Sequence, residues 1–195
     1  MKNKKSLWII IAIVAFMVLW AVSAHNKLVK MDESVNAQWA NVEAAYQRRA
    51  DLIPNLVSTV KGYADFEQET LTQVIEARAK ATSVNINADN LTPQSIQQFE
   101  AVQGELSSAL SRLLVTIERY PELKANQNFL ELQSQLEGTE NRITFERTKF
   151  NKEAQGFNSS IRQIPRSLIA RMAGFEKKAY FQSSEGSETA PSVSF

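Results

Sequence analysis

The chain has no cysteine and a single histidine, His25. The first absence removes thiol redox chemistry and disulfides, and it suits an oxidising compartment without requiring one. With one histidine and no cysteine there is no ligand set for a tetrahedral metal site, so no metal or other cofactor is expected; His25, just after an apolar run, reads as a solvated or interfacial side chain. A large surplus of charge of either sign is missing too. The 22 Lys and Arg against 21 Asp and Glu leave a formal net charge of +1, and nothing basic enough points to nucleic acid. There is no Gly-rich phosphate loop, no His-Glu-x-x-His helix and no Gly-x-Ser-x-Gly elbow. Serines and threonines are abundant, yet no histidine is placed to activate one. No residue is therefore assigned a catalytic role, and the chain reads as a non-enzyme.

What the chain has is one long apolar run and a helical period. Its 195 residues, 44% apolar and 22% charged, suit one domain with an appendage. The run from Leu7 to Ala24 holds no charge and one hydroxyl; as a helix it reaches roughly 27 Å, enough to span a hydrocarbon core. Trp8 and Trp20 lie near its ends, where indoles favour the headgroup level. A cleaved signal peptide is the competing reading, with Lys2, Lys4 and Lys5 as the basic region of residues 1–6 and Val22-Ser23-Ala24 as the cleavage site. The length of the run and the return of an amphipathic pattern at Leu28 favour a single-pass anchor over residues 7–24. The three lysines before the span outweigh Lys27 and Lys30, which Asp32 and Glu33 partly offset. That bias puts the N-terminus in the cytoplasm and the rest outside the inner membrane, with a cytoplasmic domain as the alternative.

From Leu28 apolar residues recur three and four apart, through Met31 or Asp32, Val35, Trp39, Val42 and Tyr46, then past two arginines to Ile53, Leu56 or Val57, Val60 and Tyr63 or Ala64. Leu71, Val74, Ile75 and Arg78 carry the period to about Thr82, and turn formers fill the stretch from Ser83 to Asn90. Thr92-Pro93 is a helix start, with Thr92 as cap and Pro93 in the first position; Phe99 to Tyr120 follow and Pro121 ends them. A fourth long helix is expected from about Glu122, with Phe129, Leu132, Leu136, Ile143, Phe150, Ala154, Phe157 and Ile161 on one face. Stripes of this length must bury one another, so the spacing predicts an all-α, elongated antiparallel bundle of about four long helices over residues 25–181, continuing from the anchor with no Gly or Pro between Ala24 and Leu28. After Ile164-Pro165 a short helix over Ser167–Ala173 should end at Gly174. Residues 182–195, rich in Ser and Glu, read as a flexible tail.

Pro54 interrupts the first bundle helix and should kink or restart it, with Asp51 and Asn55 as partners for the backbone groups it exposes. A kink with local hydrogen bonds is favoured over a binding site. Arg48, Arg49 and Asp51 would face partly inward, and Glu140, Asn141, Arg142, Arg147, Asn151 and Asn158 lie among the aromatics of the last long helix. A polar layer between the two is expected, with Arg48 or Arg49 paired to Glu140; such pairs more often fix register than add stability. Asp51 and Glu140 each have arginines beside them, which suits ion pairing rather than general-acid work.

The stretch Gln47-Arg48-Arg49-Ala50-Asp51-Leu52-Ile53-Pro54-Asn55-Leu56-Val57 resembles the signature of the LemA family of bacterial membrane-anchored helical proteins. Lys61-Gly62-Tyr63-Ala64, Glu76-Ala77-Arg78-Ala79, Glu140-Asn141-Arg142-Ile143 with Arg147, Asn151 and Asn158, Ile164-Pro165, Gly174-Phe175 and the closing Val193-Ser194-Phe195 agree with it in order. The resemblance implies a bitopic bacterial membrane protein with a long helical bundle, and no reaction. The expected role is a scaffold or assembly protein of the envelope, held in the lipid bilayer by its anchor and forming homo-oligomers through its helical bundle. Trp39, Tyr46, Phe66, Phe129 and Phe157 are more aromatic surface than one slim bundle must bury, and long helices offer coiled-coil-like stripes for lateral contact. The alternatives are an accessory subunit of another membrane protein, such as a membrane-bound protease, and a module binding a peptide or envelope ligand near Pro54 or after Pro165.

Overall fold

A computed structural model describes residues 2–62 and 67–182, so the expectations placed on Tyr63, Ala64, Phe66 and the tail beyond Gln182 fall outside the described residues. Among the described residues all regular structure is helical: α1 (Lys2–Lys61), α2 (Gln68–Ser83), α3 (Pro93–Ile117), α4 (Pro121–Lys124), α5 (Gln127–Arg162) and α6 (Arg166–Met172), with one 3-10 turn at Ala88–Asn90. The protein is all-α. Helix α1 packs chiefly on α5, and α2 on α3. The chain runs up α1, down α2, up α3 and down α5, and an Arg119–Glu67 ion pair of 2.6 Å ties the ends of the two hairpins together at the far end.

Helix α1 is one 60-residue element with two environments. Its apolar side chains from Leu7 to Leu19 are exposed, whereas Ala24, Leu28 and the inward residues after them are buried. Among the described residues it is the one helix long and apolar enough to cross a membrane, and its apolar window is almost wholly uncovered by the rest of the chain, unlike the core helix of a soluble domain. Farther on, burial recurs every seven residues, close to two helical turns: Leu28, Val35, Val42, Arg49 and Leu56 on one line, Trp39, Tyr46, Ile53 and Val60 on the next. Helix α5 answers with Phe129, Leu136, Ile143, Phe150 and Phe157.

Local chemistry sets the element ends. Thr92 Oγ1 accepts from the Ser95 amide at 3.2 Å while Ser95 Oγ accepts from the Thr92 amide at 2.9 Å, and Pro93 occupies the first helical position. The last long helix begins at Gln127, not near Glu122. Pro121 starts a single separate turn, and the Asn126 side chain then accepts from the amides of Asn128 and Phe129 at 2.9 and 3.1 Å, opening α5 afresh. Helix α6 ends in a Schellman arrangement, with the Phe175 amide bonded to the Ala170 carbonyl at 3.0 Å and Gly174 at φ 75°, where a side chain would be strained.

The interior divides into two cores. A distal one gathers Ile53, Leu56 and Val60 with Leu71, Val74, Leu106, Leu113, Ile117, Leu123 and Phe129. A proximal one, nearer the apolar third of α1, gathers Val35, Trp39, Tyr46, Phe99, Phe150 and Phe157 with Ile86, Leu91, Ala179 and Phe181. Helices α2 and α3 do not reach far enough to close the proximal core, so the segment after α6 fills the gap. Trp39 meets Phe99 and Phe150 edge to face at 5.3 and 5.6 Å and stacks on Phe181 at 5.8 Å. The expectation that Trp39, Tyr46, Phe129 and Phe157 leave aromatic surface for other molecules is thereby corrected: all four are buried inside one chain, Phe129 in the distal core and the other three in the proximal core, where large rings fill the space closed by the irregular segment.

Phe150→Ala should lower stability by about 3–5 kcal/mol, whereas Phe145→Ala, whose ring is exposed, should stay within about 0.5 kcal/mol; chemical denaturation followed by circular dichroism in detergent checks both.

Candidate functional site

The seven-residue register of α1 decides which of the two arginines turns inward. Counting from Leu28 through Val35 and Val42 arrives at Arg49, which is 1% exposed, while Arg48 is exposed, as are Asp51, Pro54 and Asn55. Expecting Arg48 and Asp51 to share the interior with Arg49 is thus corrected: neighbouring positions on a helix point about 100° apart. Asp51 instead accepts from Gln47 at 2.7 Å on the surface.

Arg49 sits between the two cores. One Nη donates to Glu140 Oε1 and Ser107 Oγ, each at 2.7 Å; the other donates to the Gln103 side-chain oxygen at 2.7 Å and its carbonyl at 3.2 Å. Gln103 in turn donates to the Ala81 carbonyl at 3.2 Å, so the layer reaches all four long helices. The guanidinium lies 5.1 Å from the centre of the Tyr46 ring. Burial pushes the Tyr46 hydroxyl above its ordinary pKa, against the opposing pull of Arg147 and Arg49. The Glu140 side chain is 47% exposed, so the pair joins a buried cation to a carboxylate that still meets water.

Pro54 does not restart the helix, since α1 runs through it to Lys61. A proline has no N–H for the carbonyl four residues earlier, which here is Ala50. Asp51 and Asn55 do not meet that need, because side-chain oxygens cannot donate to a carbonyl and the Asn55 side chain faces solvent. Arg78 of α2 does, with Nε 2.8 Å from the Ala50 oxygen. The arginine in Glu76-Ala77-Arg78-Ala79 and the proline are thus two halves of one feature.

Toward the apolar end the polar residues of α5 serve a different partner. Asn141 is exposed and joins no layer. Glu146, 1% exposed and unforeseen from the sequence, accepts from Gln38 at 2.5 Å, and its other oxygen lies 2.5 Å from Arg142, paired in charge but not aligned as a hydrogen bond. Arg147 bonds Glu100 at 2.5 Å and the Gln182 carbonyl at 3.0 Å, over the face of Phe181. Asn151 and Asn158, seven apart on α5, act as peptide mimics. Asn151 donates to the Phe181 carbonyl and accepts from its amide, both at 2.9 Å; Asn158 does the same to Lys178 at 2.8 and 2.9 Å. A side-chain amide has its N–H donor and its carbonyl acceptor side by side, in the geometry of a peptide group, and so can pair with a backbone as a neighbouring strand would. Lys178, held this way, pairs with Asp32 at 3.0 Å. The expected layer between first and last helices therefore consists of Arg49 with Glu140 and Gln38 with Glu146, while Arg147, Asn151 and Asn158 clamp the closing segment.

Chemically these groups are committed to one another. An open groove of about 650 Å³ runs past Arg49, Gln103, Glu140, Glu100 and Arg147. Burial raises the Glu100 pKa, opposed by Arg147 and the Gln182 backbone. Among the described residues there is no group of three His, Asp or Glu that could hold a metal.

Comparison with known proteins places the chain by its sequence. The model of the LemA family matches residues 38–195. Protein LemA of Metamycoplasma hominis is 27% identical over 165 residues, covering 84% of this chain and 71% of that protein. Magnetosome protein MamQ of Magnetospirillum gryphiswaldense is 25% identical over 199 residues, covering 92% and 72%, and Magnetosome protein MamQ 2 of Paramagnetospirillum magneticum is 24% identical over 197 residues with the same coverage.

Arg78→Ala should cost about 1–3 kcal/mol by stranding the Ala50 carbonyl. In a Pro54→Ala background, where residue 54 regains its N–H, the same change should cost clearly less; equal costs in the two backgrounds would contradict the assignment. For Glu100 the sign follows from a raised folded pKa. The folded state holds its proton to higher pH than the unfolded chain, so stability falls as pH rises from the ordinary carboxylate value through the raised one. Relative to Glu100→Gln, the natural chain should lose stability across that interval, read as the shift in denaturation midpoint with pH, and parallel profiles would contradict it.

Proposed function

The chain belongs to the LemA family, and from that premise we propose that it is a membrane-anchored, non-enzymatic scaffold or assembly protein of the bacterial envelope, self-associating through its bundle. One observation carries the reading: anchor and bundle share the single helix α1, without a joint at the point where exposed apolar side chains give way to buried ones. A bundle mounted in this way is held at a fixed height and confined to two dimensions, where weak lateral contacts act at high effective concentration. The buried aromatics do not supply those contacts. Exposed Ile75, Val115, Leu130 and Phe145 on the bundle wall do. The non-enzymatic part is supported by the ionisable groups of the interior, which are engaged with one another: Arg49 with Glu140, Arg147 with Glu100, Lys178 with Asp32. The lysine bias around the span favours an extracytoplasmic bundle on the inner membrane.

The mass of the full-length protein in mild detergent, beside a fragment beginning near Asn26, tests the reading. A discrete assembly well above one 21.9 kDa chain, dependent on the anchor, is expected. A monomer in both preparations would overturn self-association and shift the weight to an accessory subunit of a membrane enzyme, which co-purification from membranes would then identify.

A further inference from the structure

Outside the apolar third of α1, the segment from Ile164 through α6 carries large apolar side chains that the bundle leaves uncovered. Leu168 and Met172, four apart on one face of α6, are 61% and 88% exposed, and Ile164 in the turn just before the helix is 87% exposed, while Ala170 on the opposite side of α6 is buried. Three large apolar side chains exposed within nine residues form a cluster that a partner surface would cover. The position of α6 says what that partner is. It packs against both α1 and α5 at the proximal end. Phe175, three residues past it, has its ring 5.9 Å from that of His25, the residue next to Ala24 where the span ends, and 5.9 Å from Phe157. The exposed face of α6 thus stands beside the apolar wall of α1 at the level where that wall leaves the bilayer. Charge agrees with place. Arg162, Arg166, Arg171 and Lys177 surround the segment, none of them ion-paired to a described residue, against one acidic neighbour, Glu176.

We infer that α6 and its flanks lie in the headgroup layer of the membrane crossed by α1, with Ile164, Leu168 and Met172 entering the acyl boundary and the four cations facing anionic headgroups. The inference rests on the anchored reading above. It gives the rod a second foot beside its stem: a helix that meets the membrane through α1 alone is free to tilt, whereas one that also rests on α6 is held at a set angle. Short amphipathic segments of this kind bind through buried apolar area together with attraction to anionic lipid.

The absence of cysteine makes the test direct, since a single introduced thiol labels one position. Full-length Met172→Cys, Val115→Cys and Phe16→Cys, all at exposed positions, are labelled with an environment-sensitive fluorophore. They are then reconstituted into vesicles of phosphatidylcholine and phosphatidylglycerol in equal parts, with and without brominated lipid. Brominated lipid should quench the labels at 16 and 172 and leave that at 115 unchanged. Adding Arg171→Glu to Met172→Cys should reduce the quenching at 172. Quenching at 16 without quenching at 172 would overturn the inference and leave the anchor standing. No quenching at 16 would overturn the anchor and the inference together. A label at 172 shielded from both brominated lipid and aqueous iodide would overturn it in favour of a protein partner, a second copy included.

Discussion

A helix as long as α1 must be covered along one side from Ala24 to Val60, and the rest of the structure follows from how that is done. Among the described residues only α5 has the length to run beside the whole stretch, and it does so with its own row of phenylalanine, leucine and isoleucine at seven-residue spacing. Helices α2 and α3 cover the distal part. The proximal part is finished by a loop and by the chain after α6, which carries Ala179 and Phe181 into the aromatic core. The anchor, the bundle and the closing segment are thus consequences of one helix that does not stop at the membrane surface.

Polar groups inside this structure mark boundaries more than they add strength. Arg49 separates two apolar cores and contacts residues on α3 and α5, so sliding either helix by one residue would leave a buried cation without its partners, at a cost of several kcal/mol. The same reasoning explains Arg78. A proline in a long helix leaves a carbonyl with no local donor, and meeting that need from α2 fixes how the α1–α2 hairpin closes. Asn151 and Asn158 do for the closing segment what a β-strand would do, and without them its backbone would be buried unsatisfied.

Much of this was legible in the sequence where the determinants are local. Thr92-Pro93 marks a helix start because the cap and its partner lie three residues apart, and Gly174 marks a stop because a positive φ favours a residue without a side chain. The span and the bundle follow from apolar spacing alone. What was not legible depends on contacts across helices. Choosing Arg49 over Arg48 needs the seven-residue count from Leu28, because the step from Tyr46 to Ile53 along the apolar stripe does not by itself tell which of the two arginines turns inward. The proline's partner lies 28 residues away through a hairpin. Glu146 looks like any charge on a long helix until its register places it between Ile143 and Phe150. The asparagines sit on one face of α5, but their partner is an irregular segment that no period announces.

The central claim is that anchor and bundle are one rigid helix. Its most direct test is the distance between spin labels at Val22 and Arg48, two exposed α1 positions on either side of the membrane surface, measured by pulsed electron resonance on the full-length protein in a bilayer. The account predicts a single narrow distribution near roughly 39 Å, the span set by about 1.5 Å per residue. A broad distribution, or one centred well below that value, would mean that the helix bends or breaks between the two labels, and would contradict it.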